Sequence, residues 1–114
     1  MKKIKSIKQN SRFVRLYKKG KSFVSPCFVC YVRKIPGDDV LLGLTVSKKI
    51  GGAVLRNRAK RVLRAAVRAA VASGLTGCEL LLVARGKTPF IKSTRAAKEL
   101  IETLVKSGFL QARE

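Results

Sequence analysis

Along residues 22–35, apolar and polar positions alternate with a period of two. Phe28, Cys30 and Val32 fall on one face and Val29 and Tyr31 on the other, as in a strand seated on a core. Residues 40–46 are apolar at nearly every position, the pattern of a strand covered on both faces. Between these runs, Pro36-Gly37-Asp38-Asp39 carries turn chemistry and predicts a hairpin. From 53 to 72 the period lengthens. Leu55, Ala59, Val62, Leu63, Ala66 and Ala70 gather on one side of a helical wheel, a stripe about 100° wide as expected of a core-facing helix. Ser73-Gly74 is its stop. Residues 79–85 contain LLLVA and predict a short buried strand. Ser93 or Thr94 then caps a last helix, with Ala97, Leu100, Ile101, Leu104 and Val105 inward before Gly108. Near the start, Asn10 or Ser11 can cap a short helix bearing Phe13, Val14, Leu16 and Tyr17, closed by Gly20.

The order is α-β-β-β-α-β-α if the first extended run breaks near Ser25-Pro26. The unit from Val40 through the long helix to Leu82 resembles a β-α-β crossover, so its two strands should be parallel. No repeat or linker divides the chain, and 114 residues suit one domain with a modest core. The expected fold class is α+β, a single small α-β-β-β-α-β-α sandwich spanning residues 1–114.

Charge changes the picture more than hydropathy does. The chain holds 26 Lys and Arg against 6 Asp and Glu, a formal net charge of +20, yet 46% of its residues are hydrophobic. That excludes a disordered basic tail and points to nucleic acid or an anionic membrane as partner. No apolar run is long enough to span a bilayer, so nucleic acid is the expected partner. The N-terminal MKKIKSIKQNSRF lacks the apolar stretch of a secretory signal, and the expected location is the cytoplasm.

The segment KKIGGAVLRNRAKRVLRAAVR, residues 48–68, contains eight Lys or Arg among 21 residues and no acid. On the wheel, Lys60, Arg61, Arg64 and Arg68 lie within roughly 60° of Asn57, with Arg56 and Arg58 flanking them. A helix face of mixed charge is usually just solvated. This one has no acid for i, i+4 pairing and only repels itself, which favours an anionic partner. Arginine offers bidentate donors to phosphate, and the helix start behind Gly51-Gly52 presents free N–H groups. A membrane-binding helix would carry large apolar residues beside its cations.

Other chemistry is sparse. There is no His, the commonest general acid–base group. Asp38 and Asp39 read as turn residues, and Glu99 and Glu102 as surface partners of Lys98 and Lys106. Such a set does not assemble a two-metal centre. Cys27, Cys30 and Cys78 are odd in number. The first two form C-x-x-C, but three apart on a strand they point to opposite faces, and zinc wants four ligands. They read as buried, reduced thiols. Phe13 and Tyr17, four apart on the first helix, share a face that Tyr31 can oppose from the sheet. Core packing and stacking of single-stranded bases explain that trio about equally well.

The run from Ser47 to Arg64 fits S-K-K-x-G-x-A-V-x-R-N-R-x-K-R-x-x-R, and a looser match from Ile4 to Tyr31 ends in F-V-x-Y. On these motifs the chain resembles the protein subunit of bacterial ribonuclease P over nearly its whole length. The resemblance implies a ribonucleoprotein endonuclease in which the protein is a cofactor with no catalytic residue, and a catalytic RNA holds most of the Mg²⁺. The complex removes the 5′ leader from precursor tRNA. It implies RNA-subunit contacts by Arg56, Asn57, Arg58, Lys60, Arg61 and Arg64, to which the ridge adds Arg68 and the pattern adds Lys48 and Lys49. It implies a leader-binding cleft formed by Phe13, Tyr17, Phe28 and Tyr31. It also implies a left-handed β-α-β crossover, against the right-handed form that general sheet geometry favours. No membrane and no further protein partner are called for. Gly52 stands where the family more often has a polar residue. A ribosomal or other structural RNA-binding protein would explain the charge equally well, though not the 47–64 pattern. A nuclease acting alone is disfavoured by the missing His and the dispersed carboxylates.

Overall fold

The computed structural model describes residues 4–7, 15–16 and 18–110. Five strands, β1 Ile4–Ser6, β2 Lys21–Val24, β3 Phe28–Lys34, β4 Val40–Thr45 and β5 Cys78–Ala84, form one sheet in the order β1-β4-β5-β3-β2. The pairs β1–β4 and β4–β5 are parallel, and β3 runs antiparallel to both β5 and β2. Two helices, α1 Ala53–Ala72 and α2 Ser93–Lys106, pack on each other. Arg15, Leu16, Lys18 and Lys19 are helical just ahead of β2. The architecture is α+β with a mixed sheet, as the sequence predicts, and none of the described helices is long and apolar enough to cross a membrane.

Three expectations need correction. The 36–39 turn does not close a hairpin. β5 lies between β3 and β4, bonded to both, so the two strands flanking the turn never pair. Turn chemistry reports a chain reversal, not which strand fills the gap. The most continuously apolar strand takes the centre, where both faces and both edges are covered. The turn instead leans on the start of β5: Ile35 N–H donates to the Gly77 carbonyl (3.0 Å) and Cys78 N–H to that of Asp39 (3.3 Å). A Cβ on Gly77 would lie 2.6 Å from the Gly37 carbonyl, at a φ of +61°, so only glycine fits there.

Strand β1 is the second surprise. Its three residues are exposed and have no periodicity of their own. They become a strand by pairing with the open edge of β4, Ile4 opposite Val40 and Ser6 opposite Leu42. The third correction is small: α2 is capped by Lys92, and Ser93 is its first helical residue with no side-chain cap.

The sheet carries a core on each face. On one side Phe28, Cys30, Val32, Val40, Leu42, Leu80 and Leu82 meet Val62, Leu63, Ala66, Val67 and Ala70 of α1 and Ala96, Leu100 and Leu104 of α2. Val67 joins the α1 stripe, while Leu55 is only half-buried. On the other side Ile7, Leu16 and Leu81 form a smaller cluster, edged by Tyr31, Leu41 and Val83. Strand alternation alone splits β5 this way, Leu81 to one core and Leu80 and Leu82 to the other.

Candidate nucleic-acid interface

Helix α1 is fixed by its apolar stripe, so its opposite face must look outward. Asn57, Arg58, Arg61, Arg64 and Arg68 are exposed, and Arg56 and Lys60 are half-buried. The fold brings Arg58, Arg61, Arg64 and Arg68 together along one groove of about 430 Å³, closed on its far side by Ser93 at the start of α2. Arg64 and Arg68 also border a second hollow with Ile4, Ser6 and Leu42. Neither Ser93 nor β1 could be assigned to this surface from sequence, because each arrives through tertiary packing. No described acidic side chain lines either hollow.

The first turn of α1 adds to the positive field. Gly52 occupies the N-cap without a side-chain bond, and no acid lies in the first turn. Its free N–H groups and dipole therefore favour an anion. The 3₁₀ turn Lys48–Ile50 just before it exposes Lys48 and Lys49 beside that end. The Nε of Arg56 is buried and makes no hydrogen bond among the described residues.

Three of the described acids are engaged elsewhere. Lys5 Nζ meets Asp39 at 2.9 Å, and Arg33 Nε meets the buried Glu79 at 3.1 Å. Glu99 is not a partner of surface lysines, as its sequence neighbours implied. It lies 3.8 Å from Arg95 and accepts a hydrogen bond from the Cys27 thiol. One helical turn separates Glu99 from Arg95, and packing of α2 against the bend before β3 supplies the thiol. Among the described residues no three His, Cys, Asp or Glu side chains are grouped to hold a metal.

Phe13 and Tyr17 lie outside the described residues. Tyr31 sits half-buried at the edge of the smaller core, beside Leu16. Phe28 cannot be a leader contact: it has no exposed surface and belongs to the larger core beneath the helices. Alternation along β3 puts it on the face opposite Tyr31. The residues flanking Tyr31 on its own face are Val29, the cross-strand Ser22, and Val24, which is 73% exposed and pairs with Val29.

All three cysteines are free and buried. Cys27 departs from the alternation argument, since it lies in the bend before β3 and enters the same core as Cys30. The N–H groups of Cys27 and Phe28 each donate to Ser25 Oγ at 3.1 Å and hold that bend. Burial, with the Glu99 bond second, pushes the Cys27 thiol up to about 11. Burial pushes Cys30 and Cys78 up to about 12. Unfolded thiols ionise near 9.0, so between pH 9 and 12 the unfolded chain has lost protons the folded chain retains. Folding stability should therefore fall as pH rises from about 9, by on the order of 1 kcal/mol per thiol at pH 10. Urea melts at pH 8 and 10 test this: Cys30→Val should flatten the decline while leaving RNA affinity intact, and an unchanged pH slope would count against it.

Residues 1–108 match the family model described as Ribonuclease P. The ribonuclease P protein component of Shouchella clausii is 44% identical over 86 residues, covering 75% of this chain and 70% of the relative. That of Bacillus cereus is 35% identical over the full length of both chains. Among solved structures, the Staphylococcus aureus RNase P protein superposes with a TM-score of 0.78 at 32% identity, covering 96% of this chain and 100% of the other. The Thermotoga maritima RNase P protein gives 0.76 at 25% identity, covering 90% and 96%.

Proposed function

The chain belongs to the ribonuclease P protein family, and from that premise we propose how its two faces divide the work of the ribonucleoprotein. It is a subunit of the endonuclease that matures the 5′ ends of tRNA, partnered with ribonuclease P RNA. The α1 ridge, with Lys48, Lys49 and Asn57, grips the phosphates of that RNA. The Tyr31 face of the sheet receives the single-stranded leader of precursor tRNA, together with Phe13 and Tyr17, which the sequence predicts on one helical face. The observation that carries this reading is the grouping of Arg58, Arg61, Arg64 and Arg68 on one groove free of described acids. Backbone phosphates are the abundant ligand for such a surface.

The same reading leaves the chemical step to the RNA. Mg²⁺ supplies charge stabilisation and an activated water, and this reading assigns it mainly to the RNA. Supporting that assignment, the described carboxylates are dispersed, and Glu79 and Glu99 are already paired. The chain's part is to hold and orient two RNAs, which we place in the cytoplasm.

Leader binding is tested by Tyr31→Ala in the reconstituted holoenzyme. A base stacked on an aromatic contributes about 1–3 kcal/mol, largely regardless of sequence. Affinity for precursor tRNA with a leader of several nucleotides should fall about 5-fold or more. Mature tRNA binding and assembly with the RNA subunit should stay constant. Equal loss for precursor and mature tRNA would show that Tyr31 serves only the core.

A further inference from the structure

Among the described aromatic side chains, Phe90 alone is exposed, at 67%. It ends the 3₁₀ turn Thr88–Phe90, which follows β5 and packs against α1. The turn is firmly held. Thr88 and Pro89 are buried, and the Thr88 hydroxyl donates to the Cys27 carbonyl while accepting from the Arg85 N–H at 2.8 Å. The Phe90 N–H donates to the Lys87 carbonyl at 2.9 Å, and proline fixes a backbone angle one residue earlier. With its backbone pinned in this way, the ring is kept in water beside α1. Phe109 differs. It is half-buried, and Lys34 Nζ stands 5.9 Å from its ring centre. Its groove, with Lys19, Lys21 and Arg33, opens at the C-terminus of α2, where the helix dipole already favours cations.

The surroundings of Phe90 are cationic. Residues 80–98 hold five Lys or Arg and no acid, and Lys87 and Lys92, on either side of Phe90 in sequence, are exposed. Ser93, three residues on, walls the four-arginine groove, and three residues of chain span at most about 11 Å. Val54, 73% exposed, shares an α1 face with Arg58 and Arg61, four and seven residues further along. The groove thus has exposed apolar groups at its margin and phosphate donors along its length. We propose that Phe90 stacks on an unpaired base of the RNA subunit, at a bulge or loop whose flanking phosphates enter the arginine groove. This rests on the reading that α1 binds that RNA. Phosphate contacts position an RNA but carry no sequence information, whereas a ring beside them selects a backbone that presents a splayed base at that point. Phe90 is therefore a specificity-determining residue for assembly. A second copy of this chain is the poorer occupant, because a net charge of +20 on each copy opposes their approach.

The chain has no Trp, so Phe90→Trp places a single fluorophore at the site and keeps a stacking face. Its emission should be quenched on assembly with ribonuclease P RNA, and its affinity should match that of the parent. Phe90→Ala should weaken assembly about 5- to 20-fold, within the range of one stacked base. The slope of log K against log salt should stay unchanged, since no charge is removed. Phe90→Leu, apolar but without a π-face, should behave like the alanine variant. A fully paired RNA duplex offers no base to stack on, so its binding should be the same for all of these chains. The side chain is exposed, so thermal melts should match the parent. Parent-like assembly of Phe90→Ala, an unquenched tryptophan, or an equal loss for the duplex would each overturn the inference. Self-association of the free chain that disappears in Phe90→Ala, with RNA affinity intact, would give the surface to a second copy and overturn it too. Arg58→Ala/Arg61→Ala/Arg64→Ala separates the two readings: normal assembly of that variant beside a weakened Phe90→Ala refutes the ridge alone, and the converse refutes the stacking alone.

Discussion

Replacing Arg58, Arg61 and Arg64 together by alanine should weaken assembly with ribonuclease P RNA by more than about 100-fold at roughly 0.1 M salt. Each phosphate contact contributes about 0.7–0.9 to the salt slope, or about 5- to 8-fold in that buffer, and three compound. The slope itself should drop by about 2–3. All three side chains are exposed and outside the apolar stripe, and no ion pair among the described residues is lost with them. Thermal melting should shift little, or upward as repulsion is relieved. Fluorescence titration of the RNA across a salt series measures both quantities. An unchanged slope would mean that the four-arginine groove is merely hydrated.

Leu82→Ala and Leu81→Ala should each remove about 2–5 kcal/mol of stability, a large share of the roughly 5–15 kcal/mol a domain possesses. Both leucines are fully buried on the central strand β5, but they serve different faces. Leu82 supports the helices, and its loss should lower the urea midpoint while the folded fraction still distinguishes precursor from mature tRNA. Leu81 supports Leu16 and Tyr31. Its loss should blunt that discrimination even where the chain is folded, because the cleft wall loses its backing. If both variants affect leader preference alike, the two faces of the sheet are not functionally separate.

Sequence periodicity determined much of this protein. The helix over 53–72, its buried stripe and its outward arginines could all be read from local spacing, since a regular helix fixes which residues share a face. The parallel β4–β5 pair followed from the length of the crossover. The 47–64 pattern carried the family, because a motif needs only consecutive residues.

Whatever depended on elements distant in sequence stayed hidden until the chain was folded. The pairing across the 36–39 turn went to β5 because a buried apolar strand gains most at the sheet centre, and no local signal ranks strands by that gain. Alternation already set Phe28 and Tyr31 on opposite faces of one strand, but only the folded chain shows that the helices cover the Phe28 face and leave Tyr31 at the edge of the smaller core. Lys21, Arg33, Lys34 and Phe109 are scattered over the chain and meet at one groove only because β2, β3 and the end of α2 converge there. Local spacing decides which way a side chain points from its own element. Only packing decides what it then faces.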